Sequence, residues 1–139
     1  MKYLLDTNAV SEPRKAIPDQ GYMRWIAARE PEELAISALT VGELSRGVSA
    51  LDPGRRRTEL SAWLAEALTF FGDRILPVDS IVAGVWAEVW VRHRKAARPT
   101  GVIDELTAAT ALSRGLVVVT RNVRHFQNSG CEFLSPWIS

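Results

Sequence analysis

Short, unbroken apolar runs alternate along the chain with longer stretches whose apolar residues recur every three or four positions. The runs are Tyr3-Leu4-Leu5, residues 34–37, residues 74–78 and residues 116–120, with residues 132–134 as a last edge strand. Runs this short, with no alternation of apolar and polar side chains, read as strands buried on both faces. Strands of that kind lie parallel, and parallel neighbours need long crossovers, which here are helical. The expected fold class is α/β, a parallel sheet flanked by helices, in a single domain over residues 1–139.

The crossovers have their own signatures. Tyr22, Trp25, Ile26 and Arg29 fall at helical spacing ahead of Pro31, and residues 40–51 carry Leu44, Val48 and Leu51 on one stripe. Leu60, Trp63, Leu64, Ala67, Leu68 and Phe71 form the strongest helical repeat, with Gly72 as its stop. Asp79 or Ser80 caps a long helix in which Val82, Val85, Trp86, Val89 and Trp90 are expected to face inward, ending in the basic stretch 92–98. Residues 97–101 form a loop, and a helix over 104–114 stops at Gly115.

Composition narrows the function. With 47% hydrophobic and 24% charged residues the chain can build a real core, and a net charge of +1 provides no protein-wide field for a polyanion. Any such site must be local. Of the 17 basic residues only Lys2, Lys15 and Lys95 are lysines, so the rest are arginines, whose planar forks suit phosphate and carboxylate. The single cysteine, Cys131, has no partner for a disulfide within the chain, and no stretch of about 18 apolar residues offers a membrane span. The start meets Asp6 too early for a signal peptide, so a reducing, cytoplasmic setting is expected.

In open sheets of this kind ligands sit beyond the carboxyl ends of the strands. Asp6 ends the first strand, and Asn122 follows the run 116–120 by two residues. Glu43 lies one turn inside the helix after the second strand, and Asp104 opens a helix after the 97–101 loop. If these meet in one cleft, the carboxylates repel: at an effective dielectric of about 20, a pair ~4 Å apart costs ~4 kcal/mol. A hard divalent cation removes that cost. Oxygen donors without paired His or Cys favour Mg²⁺ or Mn²⁺ over zinc, and such a site suits in-line phosphoryl displacement by water. Each residue also has an ordinary structural use: Asp6 and Asp104 as helix caps, Glu43 as a solvated helix side chain, and Asn122 in a turn. Independent caps, however, have no reason to gather at one rim.

Four segments, in order, carry a resemblance. Tyr3-Leu4-Leu5-Asp6-Thr7-Asn8, Ser37-Ala38-Leu39-Thr40-Val41-Gly42-Glu43-Leu44, Val102-Ile103-Asp104-Glu105-Leu106-Thr107-Ala108-Ala109-Thr110-Ala111 and Val119-Thr120-Arg121-Asn122-Val123-Arg124-His125-Phe126 resemble the motifs of PIN-domain ribonucleases. Within that family the likeness is to VapC toxins, in particular the FitB-like branch, and it runs from Met1 to about Trp137. It implies a Rossmann-like, PIN-like parallel sheet and Mg²⁺- or Mn²⁺-dependent endonucleolytic hydrolysis of RNA phosphodiesters. It also implies homodimers and a cognate VapB-type antitoxin. By position, Asp6, Glu43 and Asp104 match the family's metal-binding acids, Asn122 matches the position after the fourth strand, and Asn8 and Thr120 match the hydrogen-bonding groups behind them. The family often has an acid at the position of Asn122 or in the slot of His125. This chain has neither, so one firmly held ion is expected, with any second arriving with substrate.

Glu105 is an extra acid beside Asp104, open between a further ligand and a first-turn helix charge. Arg46, Arg98, Arg121 and Arg124 are the arginines nearest the motifs and are expected to steer an RNA backbone. His93, among Arg92, Arg94 and Lys95, is expected to be solvated, while His125 is expected at the surface or against RNA. Arg55-Arg56-Arg57 begins a helix against its dipole, as a solvated run or facing an anionic partner. Two competing functions remain at this level: an RNA-processing nuclease of the same type outside any toxin pair, and a non-catalytic module that binds nucleic acid or a partner. A receiver-like signalling domain is disfavoured, because paired acids after the first strand and a lysine near the last are missing.

Overall fold

The computed structural model describes residues 1–138. The strands are β1 (Tyr3–Leu5), β2 (Leu34–Ser37), β3 (Ile75–Leu76), β4 (Val117–Val119) and β5 (Phe133–Leu134). Between them run α1 (Thr7–Ser11), α2 (Gln20–Ala27), α3 (Ala38–Ser49), α4 (Arg55–Phe71), α5 (Ser80–Lys95) and α6 (Val102–Arg114). The sheet is parallel throughout, in the order β3-β2-β1-β4-β5.

Each central strand sends alternate side chains to opposite faces, and both faces are covered. Leu4, Ala35, Leu76 and Val118 pack on one side with Val82, Val89, Ala108 and Phe126, beneath α5 and α6. Tyr3, Leu5, Leu34, Ile36 and Val119 pack on the other with Val10, Tyr22, Phe71 and Trp137, beneath the N-terminal helices. Continuous apolar runs were therefore required, since a residue facing either way is buried.

Several boundaries differ from the sequence reading. β3 is two residues where five were expected, because Pro77 has no N–H to donate to the ladder. α6 starts at Val102 with Gly101 as its cap, so Asp104 is the third helical residue and does not open the helix. On α5, Val82 and Val89 are buried, but Trp90, expected inside, is 43% exposed.

The chain builds β1, β2 and β3 outward in one direction and then returns to β4 and β5 on the far side of β1. The direction of winding reverses between β1 and β4. That is the switch point at which open α/β sheets leave a crevice beyond their strand ends. Tyr3, Leu4 and Leu5 pair in register with Val117, Val118 and Val119, so Asp6 and Thr120 leave the sheet side by side.

Candidate active site

Asp6 emerges into that crevice under three constraints. Its Oδ1 accepts the Thr7 N–H at 2.9 Å, which caps α1. Its Oδ2 accepts the Thr120 hydroxyl at 2.9 Å and the Asn8 amide at 3.2 Å. Asn8 in turn accepts the Arg121 N–H at 3.0 Å through Oδ1, and Thr120 Oγ1 accepts the Asn122 N–H at 3.0 Å. Asn8 and Thr120 thus tie the segment after β4 to the end of β1.

Glu43 reaches the same place from α3. The Thr7 hydroxyl donates to its Oε1 at 2.5 Å and lies 3.2 Å from the Thr40 hydroxyl. Arg46 Nη2 stands 4.0 Å from Glu43 Oε2 with its side chain 74% exposed, a loose surface pair worth less than about 1 kcal/mol. Asp104 comes from the first turn of α6, and its Oδ2 is 3.0 Å from His125 Nδ1.

These three acids act on one another. Burial pushes the Asp6 carboxyl above its usual range; hydrogen bonds from Thr120 and Thr7 counter this in part, and the charge of Glu43 adds to it. Asp104 is also raised, first by burial and then by the charge of Asp6, with Glu43 adding and His125 opposing. Carboxylates from β1, α3 and α6 therefore share one field in a cleft that disfavours their charge.

Among the described residues, no three His, Cys, Asp or Glu side chains lie close enough to form a metal cage by themselves. Each acid has a protein partner: Thr7 holds Glu43, His125 holds Asp104, and Thr120 with Asn8 holds Asp6. The donor set is anionic and all-oxygen, and burial, with the neighbouring carboxylates adding, disfavours the charge of Asp6 and Asp104. That chemistry fits a hard cation that keeps part of its water, as Mg²⁺ does. Asn122 has its backbone on Thr120, while its side chain makes no hydrogen bond among the described residues and lines a neighbouring pocket with Arg98, Arg121, Arg124 and His125.

The PIN domain family model matches residues 3–129 of this sequence. The chain belongs to the PIN-domain family. It is 36% identical over 135 residues to VapC ribonuclease Y4jK of Sinorhizobium fredii, covering 96% of each chain. It is 33% identical to Toxin FitB of Neisseria gonorrhoeae, covering 96% of this chain and 97% of that protein. The crystal structure of FitAcB from Neisseria gonorrhoeae superposes with a TM-score of 0.93 at 33% identity over 99% of both chains.

In this PIN domain two residues behave differently from their sequence reading. His93, expected in solvent, is 1% exposed, with Nδ1 2.7 Å from Glu105 Oε2. Glu105 is likewise buried, and its Oε1 accepts the Trp86 indole N–H at 3.3 Å. Glu105 therefore serves a buried pair between α5 and α6, one residue from Asp104. The signal was present in the spacing, since Val82, Trp86, Val89 and His93 form one helical stripe. The flanking Arg92, Arg94 and Lys95 mask that stripe. Thr7 was also missed as the group that orients Glu43, and only the fold brings those two together.

Proposed function

We propose that this PIN domain is a metal-dependent endoribonuclease, the toxin of a VapBC-type pair, in which Asp6, Glu43, Asp104 and Asn122 hold Mg²⁺ or Mn²⁺. The carrying observation is the shared field of three carboxylates from separate elements at the switch point, with Asp6 and Asp104 both raised. Such an arrangement weakens the fold unless a cation compensates it. When bound, the ion neutralises charge on the phosphate oxygens and helps water attack in line.

The chain's own residues do the rest. Thr120 and Asn8 fix the orientation of Asp6, and Thr7 fixes Glu43. Asn122, whose side chain lines the neighbouring pocket, adds a neutral carbonyl oxygen to this donor set, and Arg98, Arg121 and Arg124 attract the RNA backbone beside it. Arg46, paired loosely with Glu43, adds a further positive charge for the backbone.

The toxin reading is supported by relatives named as VapC ribonuclease and toxin, and by the structure of FitAB bound to a DNA fragment, which superposes with a TM-score of 0.93. A VapB-type antitoxin is the corresponding partner. An apolar groove of about 250 Å³, lined by Val10, Ile26, Trp63, Ala67 and Phe70, offers it a seat. A homodimer in the cytoplasm completes the proposal. No helix of the structure is long and apolar enough to cross a membrane.

The test is RNA cleavage by protein purified free of any partner, with and without Mg²⁺ or Mn²⁺, followed by sequencing of the new RNA ends. Discrete cuts that need the metal and vanish in Asp6→Ala are expected. Equal cutting by Asp6→Ala removes the enzyme assignment. Silence of the metal-loaded wild type on diverse RNAs favours a non-catalytic binding module.

A further inference from the structure

Beside the carboxylates lies a polar pocket of about 530 Å³ bounded by Arg98, Thr100, Arg121, Asn122, Arg124 and His125. We propose that it is a phosphate-binding subsite that takes the RNA phosphate flanking the one cleaved. This rests on the nuclease reading and adds to it a second, separate anion position. The volume lies in the range that encloses a small ligand.

The state of the arginines carries the argument. Elsewhere on the molecule Arg14, Arg29, Arg74 and Arg94 lie over aromatic rings, Arg92 donates to the Ser129 carbonyl and Arg46 stands by Glu43, while the uncommitted Arg24, Arg55, Arg56, Arg57 and Arg114 do not line this pocket. Arg98, Arg121 and Arg124 share one pocket, and among the described residues their side chains make no hydrogen bond or ion pair. No carboxylate lines the pocket. Three uncommitted guanidinium forks around one opening are suited to bidentate capture of phosphate oxygens.

The backbones of Arg98 and Arg121, by contrast, are pinned near the site. The Arg121 N–H is held by Asn8, and the neighbouring Asn122 N–H by Thr120, which are the two residues that fix Asp6. The Arg98 N–H donates to the His93 carbonyl at 3.0 Å, and His93 is locked on Glu105, next to Asp104. His125 closes the gap, since it lines the pocket and also touches Asp104. A phosphate in the pocket is thereby set at a fixed offset from the acids. The pocket has no Phe, Tyr or Trp to stack a base, so it reads the backbone and adds affinity without sequence preference at that nucleotide.

The experiment measures binding of a fluorescent single-stranded RNA by anisotropy, with metal-free protein, across a range of salt concentrations. Each phosphate that the protein neutralises on a single strand adds about 0.7 to the slope of log K against log salt, so the double variant Arg98→Ala, Arg124→Ala, which gives up the one phosphate of the pocket, is expected to lower that slope by about 0.7. Arg114→Ala, at the far end of α6, is the control and leaves the slope unchanged. A second measurement replaces single phosphates with methylphosphonate in an RNA that the wild type cuts. One flanking position is expected to weaken wild-type binding and to have no effect in the double variant.

An unchanged slope, a loss spread over every position, or absence of RNA binding by the wild type overturns the subsite. Cleavage that persists alongside an unchanged slope sinks the subsite and leaves the nuclease reading standing. A lowered slope in a protein that never cleaves sinks the nuclease reading and leaves the subsite standing.

Discussion

Replacing Asp6 by Asn separates the charge of this side chain from its packing. The amide can still accept the Thr7 N–H through Oδ1. Thr120 Oγ1 already accepts from the Asn122 N–H and from Asn8, so the new Nδ2 can donate there only by displacing Asn8, and the Thr120 hydroxyl loses its acceptor. The structural cost is thus about two hydrogen bonds, roughly 2 kcal/mol. Relief of the charge penalty opposes it, because burial and Glu43 disfavour the ionised Asp6 and a neutral amide escapes both. Metal-free Asp6→Asn is therefore expected to melt within a few degrees of the wild type, or above it. Metal separates the two proteins. At a hundred times its Kd an ion stabilises the wild type by about 2.7 kcal/mol, or roughly 10 °C for a chain of this size. The variant loses most of that rise.

The assay is thermal unfolding in chelator and in graded Mg²⁺ and Mn²⁺, over a range of pH. Asp6 and Asp104 have folded pKa values above their unfolded ones, so the stability they contribute is complete below the unfolded value and lost as pH rises through the folded one. The advantage of metal-free Asp6→Asn over wild type should accordingly be greatest at neutral pH and shrink towards the ordinary carboxylate range. The metal-induced rise in the wild type should weaken in the same direction, as protons compete for the acids. The reasoning is refuted if the variant keeps the wild-type response to metal. A metal-free variant that melts more than about 10 °C lower would make Asp6 chiefly a helix cap.

Three further expectations concern the scaffold. Glu12 is 1% exposed and accepts the Asp19 N–H at 2.8 Å and the Trp137 indole N–H at 2.9 Å. Glu12→Ala strands both donors and should cost about 3–5 kcal/mol in urea unfolding, with less than about 1 kcal/mol refuting it. Burial raises the Glu12 carboxyl, but hydrogen bonds from Trp137, the Asp19 N–H and Lys15 outweigh this and hold it below its usual range. Its contribution is present above the unfolded pKa and lost as pH falls through the folded one, so Glu12→Ala should flatten the acid limb of the stability profile. Glu105→Leu leaves buried His93 with only the Thr100 hydroxyl, 3.3 Å from Nδ1, and strands the Trp86 indole N–H, so it should cost about 2–4 kcal/mol, with the His93→Leu, Glu105→Leu double variant losing less than the sum in a double-mutant cycle. Gly21→Ala would place a Cβ 2.5 Å from Ile138 Cγ2 and 2.8 Å from the Pro136 carbonyl, so it should cost about 1–3 kcal/mol and speed proteolysis of the C-terminal segment.

The sheet was legible because both its faces are covered. A strand buried on two sides has no tolerated polar position, and that leaves a continuous apolar run which periodicity detects directly. Strand order was not available from the same signal. Nothing in Tyr3-Leu4-Leu5 says that its neighbours are residues 34–35 on one side and 117–119 on the other. The edge strands were harder still. β3 is cut short by Pro77, and β5, two residues long, has a partly exposed burial pattern. The ends of α6 show the same limit, since Val102 is 53% exposed and has no inward-facing position to announce the helix start.

The acids were legible for a related reason: each follows a strand or begins a helix at the carboxyl edge, and topology alone sends such positions to one crevice. What holds them was legible only in part: the resemblance pointed to Asn8 and Thr120, but the roles of Thr7 and His125 rest on contacts across long sequence separations. Thr120 reaches Asp6 over 114 positions and Thr7 reaches Glu43 over 36. These are small polar residues, common in turns, and no local pattern distinguishes one that grips a carboxylate from one that faces water. His93 shows the opposite failure. It sat on a readable stripe but was judged by its basic neighbours, although a helix turns about 100° per residue and adjacent residues face different surroundings. The buried pair it makes with Glu105 fixes the first turn of α6, and with it Asp104, against α5.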